Sequence, residues 1–157
     1  MNSIIKHNIN ETILIRNIKK DDYTKKYLYL LKQLTSIDPE KISNDDFNNL
    51  VDKLNNDHII IVIEDITTAT IIASATLFVE YKFIHNMGKV GHIEDVVVDK
   101  EYRGHGFGIL MIDNLINLAK ERKCYKVILD CSESNVCFYE KCGFVKKEVE
   151  MVKYIDE

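Results

Sequence analysis

The feature that most constrains this chain is a switch of pattern between residues 96 and 119. Val96-Val-Val98 closes a β-branched run, Arg103-Gly-His-Gly-Phe-Gly108 follows, and Met111, Ile112, Leu115, Leu118 and Ala119 then recur at helical spacing. A further short apolar run, Lys126 to Asp130, reads as the next strand, so the segment has the order strand, glycine turn, helix, strand. Glycines at such a turn leave backbone N–H groups unpaired at the positive end of the helix dipole, where an anion fits. The turn is not a P-loop, because no Lys-Ser or Lys-Thr follows Gly108. The dinucleotide pattern GxGxxG fails too, because Ile109, Leu110 and Met111 follow the last glycine.

The rest of the chain fits around that unit. Thr12 to Arg16 reads as a strand, and Tyr27, Leu28, Leu30, Leu31 and Leu34 predict a helix. Ser43, with Asp46 three residues on, resembles the N-cap of a second helix carrying Phe47, Leu50, Val51 and Leu54. His58 to Glu64 and Thr70 to Tyr81 are apolar runs joined by turn residues 65–68, which predicts an antiparallel pair, and Gly91 to Val98 predicts a third strand of that region. Near the end, Ser134 to Cys142 predicts a short helix, Gly143 its left-handed terminator, and Phe144 to Ile155 a last strand or hairpin. The fold class is α/β, a central mixed twisted sheet flanked by helices, in a single domain over 1–157.

Composition excludes several functions. The 157 residues carry 21 Lys+Arg against 25 Asp+Glu, a net charge of −4 without the basic footprint of a nucleic-acid or membrane-surface binder. No apolar stretch is long enough to span a membrane, and MNSIIKHNIN lacks a signal-peptide pattern, so a soluble, cytoplasmic protein is expected. Cys124, Cys131, Cys137 and Cys142 form no CxxC pair, which predicts free, mostly buried thiols and no metal site.

Two acids stand out in the third strand. Glu94 and Asp95 are adjacent, so their side chains point to opposite faces unless the strand bulges there. A bulge would also free a backbone N–H near Val96. Asp130 ends the following strand, where it can face a pocket from the other side.

Two motifs then carry a resemblance. Arg103, Gly106 and Gly108 form R-x-x-G-x-G, and Asn135, Phe138, Tyr139, Lys141, Gly143 and Phe144 form N-x-x-(F/Y)-Y-x-K-x-G-F. In this order and spacing they resemble the GNAT acetyltransferase superfamily. Gly91-His-Ile-Glu-Asp-Val-Val-Val98, Cys124-Tyr-Lys-Val-Ile-Leu-Asp-Cys131, Lys82-Phe-Ile-His85 and Leu31-Lys-Gln-Leu-Thr35 are similar to its glucosamine 6-phosphate N-acetyltransferases, over roughly Ile13 to Lys153.

The resemblance implies a GNAT fold, acetyl-CoA as co-substrate, no metal, and a sugar phosphate as acceptor. It assigns acetyl-CoA to Val96, Val97 and Val98, to the turn Arg103, Gly104, His105, Gly106, Phe107, Gly108 and Ile109, and to Asn135, Tyr139 and Lys141. The His105 side chain is expected to point away from the phosphates. Glu94 and Asp95 would handle the amine, Asp130 would orient it, and Tyr139 would stabilise the departing thiolate. Thr35, Lys82, His85 and Lys153 would hold the sugar phosphate. Family members form homodimers whose C-terminal strand reaches the partner's site. Met151 is followed here by Val152, Lys153 and Tyr154, which leaves Lys153 as the candidate for the family's C-terminal basic residue. Direct transfer is favoured over an acyl-cysteine route, since neither Cys131 nor Cys137 has an evident paired histidine. The alternatives are transfer to another small or peptide amine, and a non-catalytic acyl-CoA sensor. Lys82, His85 and Lys153 would repel a polycation, and a sensor would need only the glycine turn.

Overall fold

The structure, a computed structural model, describes residues 6–8 and 12–155. Six strands lie in one sheet in sequence order: β1 (Lys6–Asn8), β2 (Ile13–Asn17), β3 (His58–Asp65), β4 (Thr70–Tyr81), β5 (Lys89–Val98) and β6 (Cys124–Ile128). Neighbours are antiparallel except β5 and β6, which are parallel. That exception follows from the chain between them, since parallel strands need a crossover and helix α4 (Phe107–Glu121) supplies it.

Each sheet face has its own core. Met111, Ile112, Leu115, Leu118 and Ala119 of α4 pack on Ile15, Ile61, Ile63, Ala75, Leu77 and Ile93. On the other face Tyr27, Leu28 and Leu30 of α1 (Tyr27–Leu31) and Phe47 of α2 (Asn44–Lys53) cover Val62, Ile71 and Val97. The Ser43 cap forms as predicted: Ser43 Oγ accepts from Asp46 N–H at 3.1 Å, and Asp46 Oδ2 accepts from Ser43 N–H at 3.3 Å.

Beneath the 3-10 turn Lys20–Lys25, which precedes α1, lies a buried ion cluster. The Arg16 side chain is 4% exposed, Asp22 0% and Glu64 10%. Arg16 donates to both oxygens of Asp22 at 2.8 and 2.5 Å and, through Nε and one terminal nitrogen, to Glu64 Oε2 at 2.9 and 2.7 Å. Lys25 Nζ takes the other Glu64 oxygen at 2.8 Å. The cluster ties β2, β3 and the entry to α1 together by groups that cannot be left unpaired in a dry site.

Four expectations are corrected. The first helix stops at Leu31, where the bonding tightens to three-residue steps (Gln33 N–H to Leu30 C=O at 3.0 Å, Leu34 N–H to Leu31 C=O at 2.9 Å), and Leu34 is left 42% exposed. Strand β6 ends at Ile128, two residues before Asp130. The thiols are not mostly buried: Cys131 and Cys137 are exposed and Cys124 and Cys142 half-buried, because the chain around them runs along the sheet edge. Phe144 to Ile155 forms no strand. Val145, Val149, Met151 and Ile155 alternate like strand residues but are exposed, because among the described residues no strand pairs with this segment.

Burial would raise the Glu64 pKa, but hydrogen bonds from Lys25 and Arg16 together outweigh it and hold the carboxyl below its ordinary value. Its stabilisation is therefore complete above the usual carboxylate range and lost as pH falls through the depressed native value. Glu64→Gln is expected to cost about 3 kcal/mol at neutral pH and to flatten the fall of Tm below about pH 4.5, measured by thermal unfolding across pH.

Candidate active site

The site begins with a defect in a ladder. Ser74 is opposite Val97 and Thr76 opposite Glu94, so β5 carries one more residue than β4 across this interval, and neither Asp95 nor Val96 has a register partner. Asp95 takes up the extra residue in a left-handed conformation, φ 52°. The insertion reverses which face each later residue occupies. Ile93 packs in the α4 core, and beyond the bulge Val96 and Val98 join it while Val97 turns to the α1 face. Without the bulge Ile93 and Val97 would share a face. The bulge expected between the two carboxylates is thus present.

A second break lies on the other side of β5. Its pairing with β6 runs from Lys89–Cys124 to His92–Ile128 and then stops, while β5 continues to Val98. The two strands part into a notch whose β5 wall is an open edge of N–H and C=O groups. Glu94 and Asp95 stand at its apex, and Asp130 lies just beyond the end of β6 on the opposite wall.

The acids act on one another. Partial burial raises the Glu94 pKa, and the fields of Asp130 and Asp95 raise it further, against a lowering from His92. Tyr139, on α5 (Val136–Lys141), is half-buried between Phe138 and Phe144, with ring centroids 4.9 and 6.1 Å away. Burial, then Cys131, Cys142 and Glu94, push its phenol up, so it is a neutral O–H donor at neutral pH. Close contact brings α5 in, since a Cβ on Gly108 would lie 3.0 and 3.2 Å from Phe138 ring atoms.

At the far end of the notch is the glycine turn. Gly104 and Gly106 both have φ 83°, and Gly106 caps the N-terminus of the fifteen-residue α4. Arg103 Nε donates to the Val98 carbonyl at 3.0 Å, which anchors an exposed guanidinium beside that helix start. His105 Nδ1 is 3.2 Å from the Tyr102 carbonyl and its ring stacks on Phe107. Phe107, Gly108 and Ile109 form the first turn of α4, with Ile109 40% exposed. The backbone of this turn, the helix dipole and Arg103 together favour an anion at this place.

The other sequence-selected residues are placed less tightly. Asn135 and Lys141 are exposed at the two ends of α5. Thr35 is exposed after α1. Lys82 pairs with Glu80 at 2.5 Å just past the end of β4. His85 lies in the single turn α3 (Ile84–Met87) between β4 and β5, and its ring packs on Tyr125 with centroids 4.3 Å apart. Among the described residues no hydrogen bond or ion pair joins Lys82 or His85 to Glu94. Lys153 sits on the exposed C-terminal segment.

Three residues with a part in the site escaped the sequence reading. The His92 Nε2 is 3.0 Å from Glu80, and its field reaches Glu94. Tyr27 carries its hydroxyl against the sheet beside the bulge, accepting from Ser74 at 3.3 Å, and burial raises its pKa to about 12, with Asp95 adding to the rise. Gln33 contacts the loop after β5. The helical spacing made Tyr27 a core residue, and no local pattern distinguishes Gln33 from solvated surface.

An open-edged strand, a helix start that favours an anion and a half-buried phenol beside interacting carboxylates suit an acyl-transfer site. Residues 15–144 match the Acetyltransferase (GNAT) family. The chain is 42% identical over 149 residues to a glucosamine 6-phosphate N-acetyltransferase of Arabidopsis thaliana, covering 93% of this chain and 99% of that protein. It is 43% identical over 147 residues to glucosamine 6-phosphate N-acetyltransferase 1 of Dictyostelium discoideum, covering 94% of each. The crystal structure of the Arabidopsis thaliana enzyme superposes with a TM-score of 0.88 at 42% identity, over 93% of this chain and 100% of that one. The chain belongs to the GNAT acetyltransferases and, within them, to the glucosamine 6-phosphate N-acetyltransferase family.

Replacing Asp130 by Asn removes one of the charges that resist ionisation of Glu94. The Glu94 carboxyl titration, followed by carbon-detected NMR, is expected to move to lower pH in Asp130→Asn; an unmoved midpoint would mean the two walls of the notch do not communicate.

Proposed function

We propose that the protein transfers the acetyl group of acetyl-CoA to the amine of glucosamine 6-phosphate, giving N-acetylglucosamine 6-phosphate by direct attack in a ternary complex. The observation that carries this reading is the bulge at Asp95. It sets Glu94, Asp95 and the unpaired peptide before Val96 at the apex of a notch that leads to the glycine turn. The close similarity to enzymes bearing that name supports the acceptor.

The roles follow from what the reaction needs. The amide-bearing arm of acetyl-CoA pairs along the open edge at Val96, Val97 and Val98, and its pyrophosphate takes the N–H groups and Arg103 at the turn. The amine must be neutral to attack. Glu94, whose pKa lies above the ordinary carboxylate value, accepts the amine proton through water, while Asp95 and Asp130 orient the nitrogen. As nitrogen bonds to the carbonyl carbon, the Val96 N–H stabilises the oxygen that becomes negative. The carbon–sulfur bond then breaks and the electron pair leaves on sulfur. Tyr139 donates its hydroxyl hydrogen bond to that thiolate, a neutral donor placed where charge develops.

The sugar phosphate needs cations outside the acid group, and Lys82 and Lys153 supply them, with His85 a hydrogen-bond partner for its phosphate or hydroxyls. Lys153 serves from the partner subunit of a homodimer. Support for the dimer comes from the exposed, strand-patterned segment after Phe144 and from the unpaired outer edge of β6.

The reading is tested by CoA release from acetyl-CoA with glucosamine 6-phosphate beside glucosamine, glucose 6-phosphate and a peptide amine. Turnover is expected with glucosamine 6-phosphate far above the rest. Silence with all four, acetyl-CoA still binding, would favour an acyl-CoA sensor. Tyr139→Phe is expected to lower kcat by about 10- to 100-fold, with acetyl-CoA affinity kept within about twofold, because the lost hydrogen bond matters only as the thiolate leaves.

A further inference from the structure

Between α1 and the next 3-10 turn, Pro39–Lys41, the chain runs exposed from Lys32 to Ser36. Its local backbone bonds, such as Thr35 N–H to Leu31 C=O at 3.2 Å, only continue the end of α1. Among the described residues, the long-range hydrogen bonds of this stretch are both made by Gln33. Gln33 Nε2 donates to Asp99 Oδ2 at 2.9 Å, and Gln33 Oε1 accepts from the Lys100 backbone N–H at 2.9 Å. The amide uses its donor and its acceptor on adjacent residues, so only one orientation of the side chain satisfies both.

What Gln33 grips is the start of the donor side. Asp99 directly follows β5 and its N–H donates to Ile72 C=O at 2.8 Å. Its other carboxylate oxygen accepts from Glu101 N–H at 2.9 Å, capping the 3-10 turn Lys100–Tyr102 that leads into Arg103 and the glycines. Two residues after Gln33 stands Thr35, on the acceptor side.

We infer that Gln33 is a positioning residue that couples the two substrates: it locks the Lys32–Ser36 stretch to the loop entering the acetyl-CoA turn, so that ordering either one orders the other. The inference rests on the proposed assignment of the glycine turn to acetyl-CoA and of the Thr35 stretch to the sugar phosphate. Coupling of this kind is reciprocal: each ligand raises the affinity of the other by the same factor.

CoA with glucosamine 6-phosphate cannot react, so both affinities are measurable by calorimetry in the full-length protein, each ligand titrated alone and with the other saturating. Wild type is expected to show a mutual gain of about fivefold or more. In Gln33→Ala the gain falls to within about twofold of unity, and in Gln33→Glu, which sets a carboxylate against Asp99, it is also lost. A merely structural role would weaken both ligands or lower Tm while leaving the ratio intact, and that result overturns the inference. So does a wild type whose ligands bind independently. A wild type that fails to bind glucosamine 6-phosphate overturns the acceptor assignment itself and the coupling with it.

Discussion

The site depends on one extra residue in β5. A regular strand would send Glu94 and Asp95 to opposite faces and would keep Ile93 and Val97 in one core. The left-handed Asp95 breaks that alternation, gives the α4 core Val96 and Val98 instead, and leaves the peptide between Asp95 and Val96 without a ladder partner. The same strand loses β6 after His92. A bulge on one side and a departing neighbour on the other convert an interior strand into the wall of an open notch, with backbone donors exposed where a substrate carbonyl can meet them.

Around this irregularity the structure is held by conventional means. Two apolar layers clamp the sheet, and the Arg16 cluster fixes β2 and β3 to the entry of α1 through groups that must all be paired to remain buried. That attachment matters to the site because Tyr27 at the head of α1 packs its hydroxyl on Ser74, opposite the bulge, and Gln33 beyond its end holds the loop after β5. The α1 region thus touches the acid end and the anion end of one notch.

Much of this was legible in the residue pattern. The β-branched runs located β3 and β4, with the β4 limits as predicted, and the Ser43–Asp46 spacing located the cap of α2. Adjacent acids in an apolar strand pointed to a bulge because no regular geometry accommodates both. The C-terminal segment was misread for an instructive reason. Alternation states that a segment suits a strand, but a strand exists only where it pairs with another, and among the described residues 144–155 pair with none. The thiols were placed inside because cysteine is commonly buried; proximity to the sheet edge decided otherwise.

The sequence by itself determined the order of most elements, the glycine turn at the head of an apolar-striped helix, and which candidate acids and phenol the chain carries, since these depend on local conformational preference and residue type. Only the tertiary structure decided which of those groups meet. It placed Asp130 across from Glu94 and turned His92 toward both Glu80 and Glu94. It also tied Gln33 to a loop more than sixty residues away. Such contacts arise from strand register and from the point at which two strands separate. Both are set by packing of the whole sheet rather than by any window of residues.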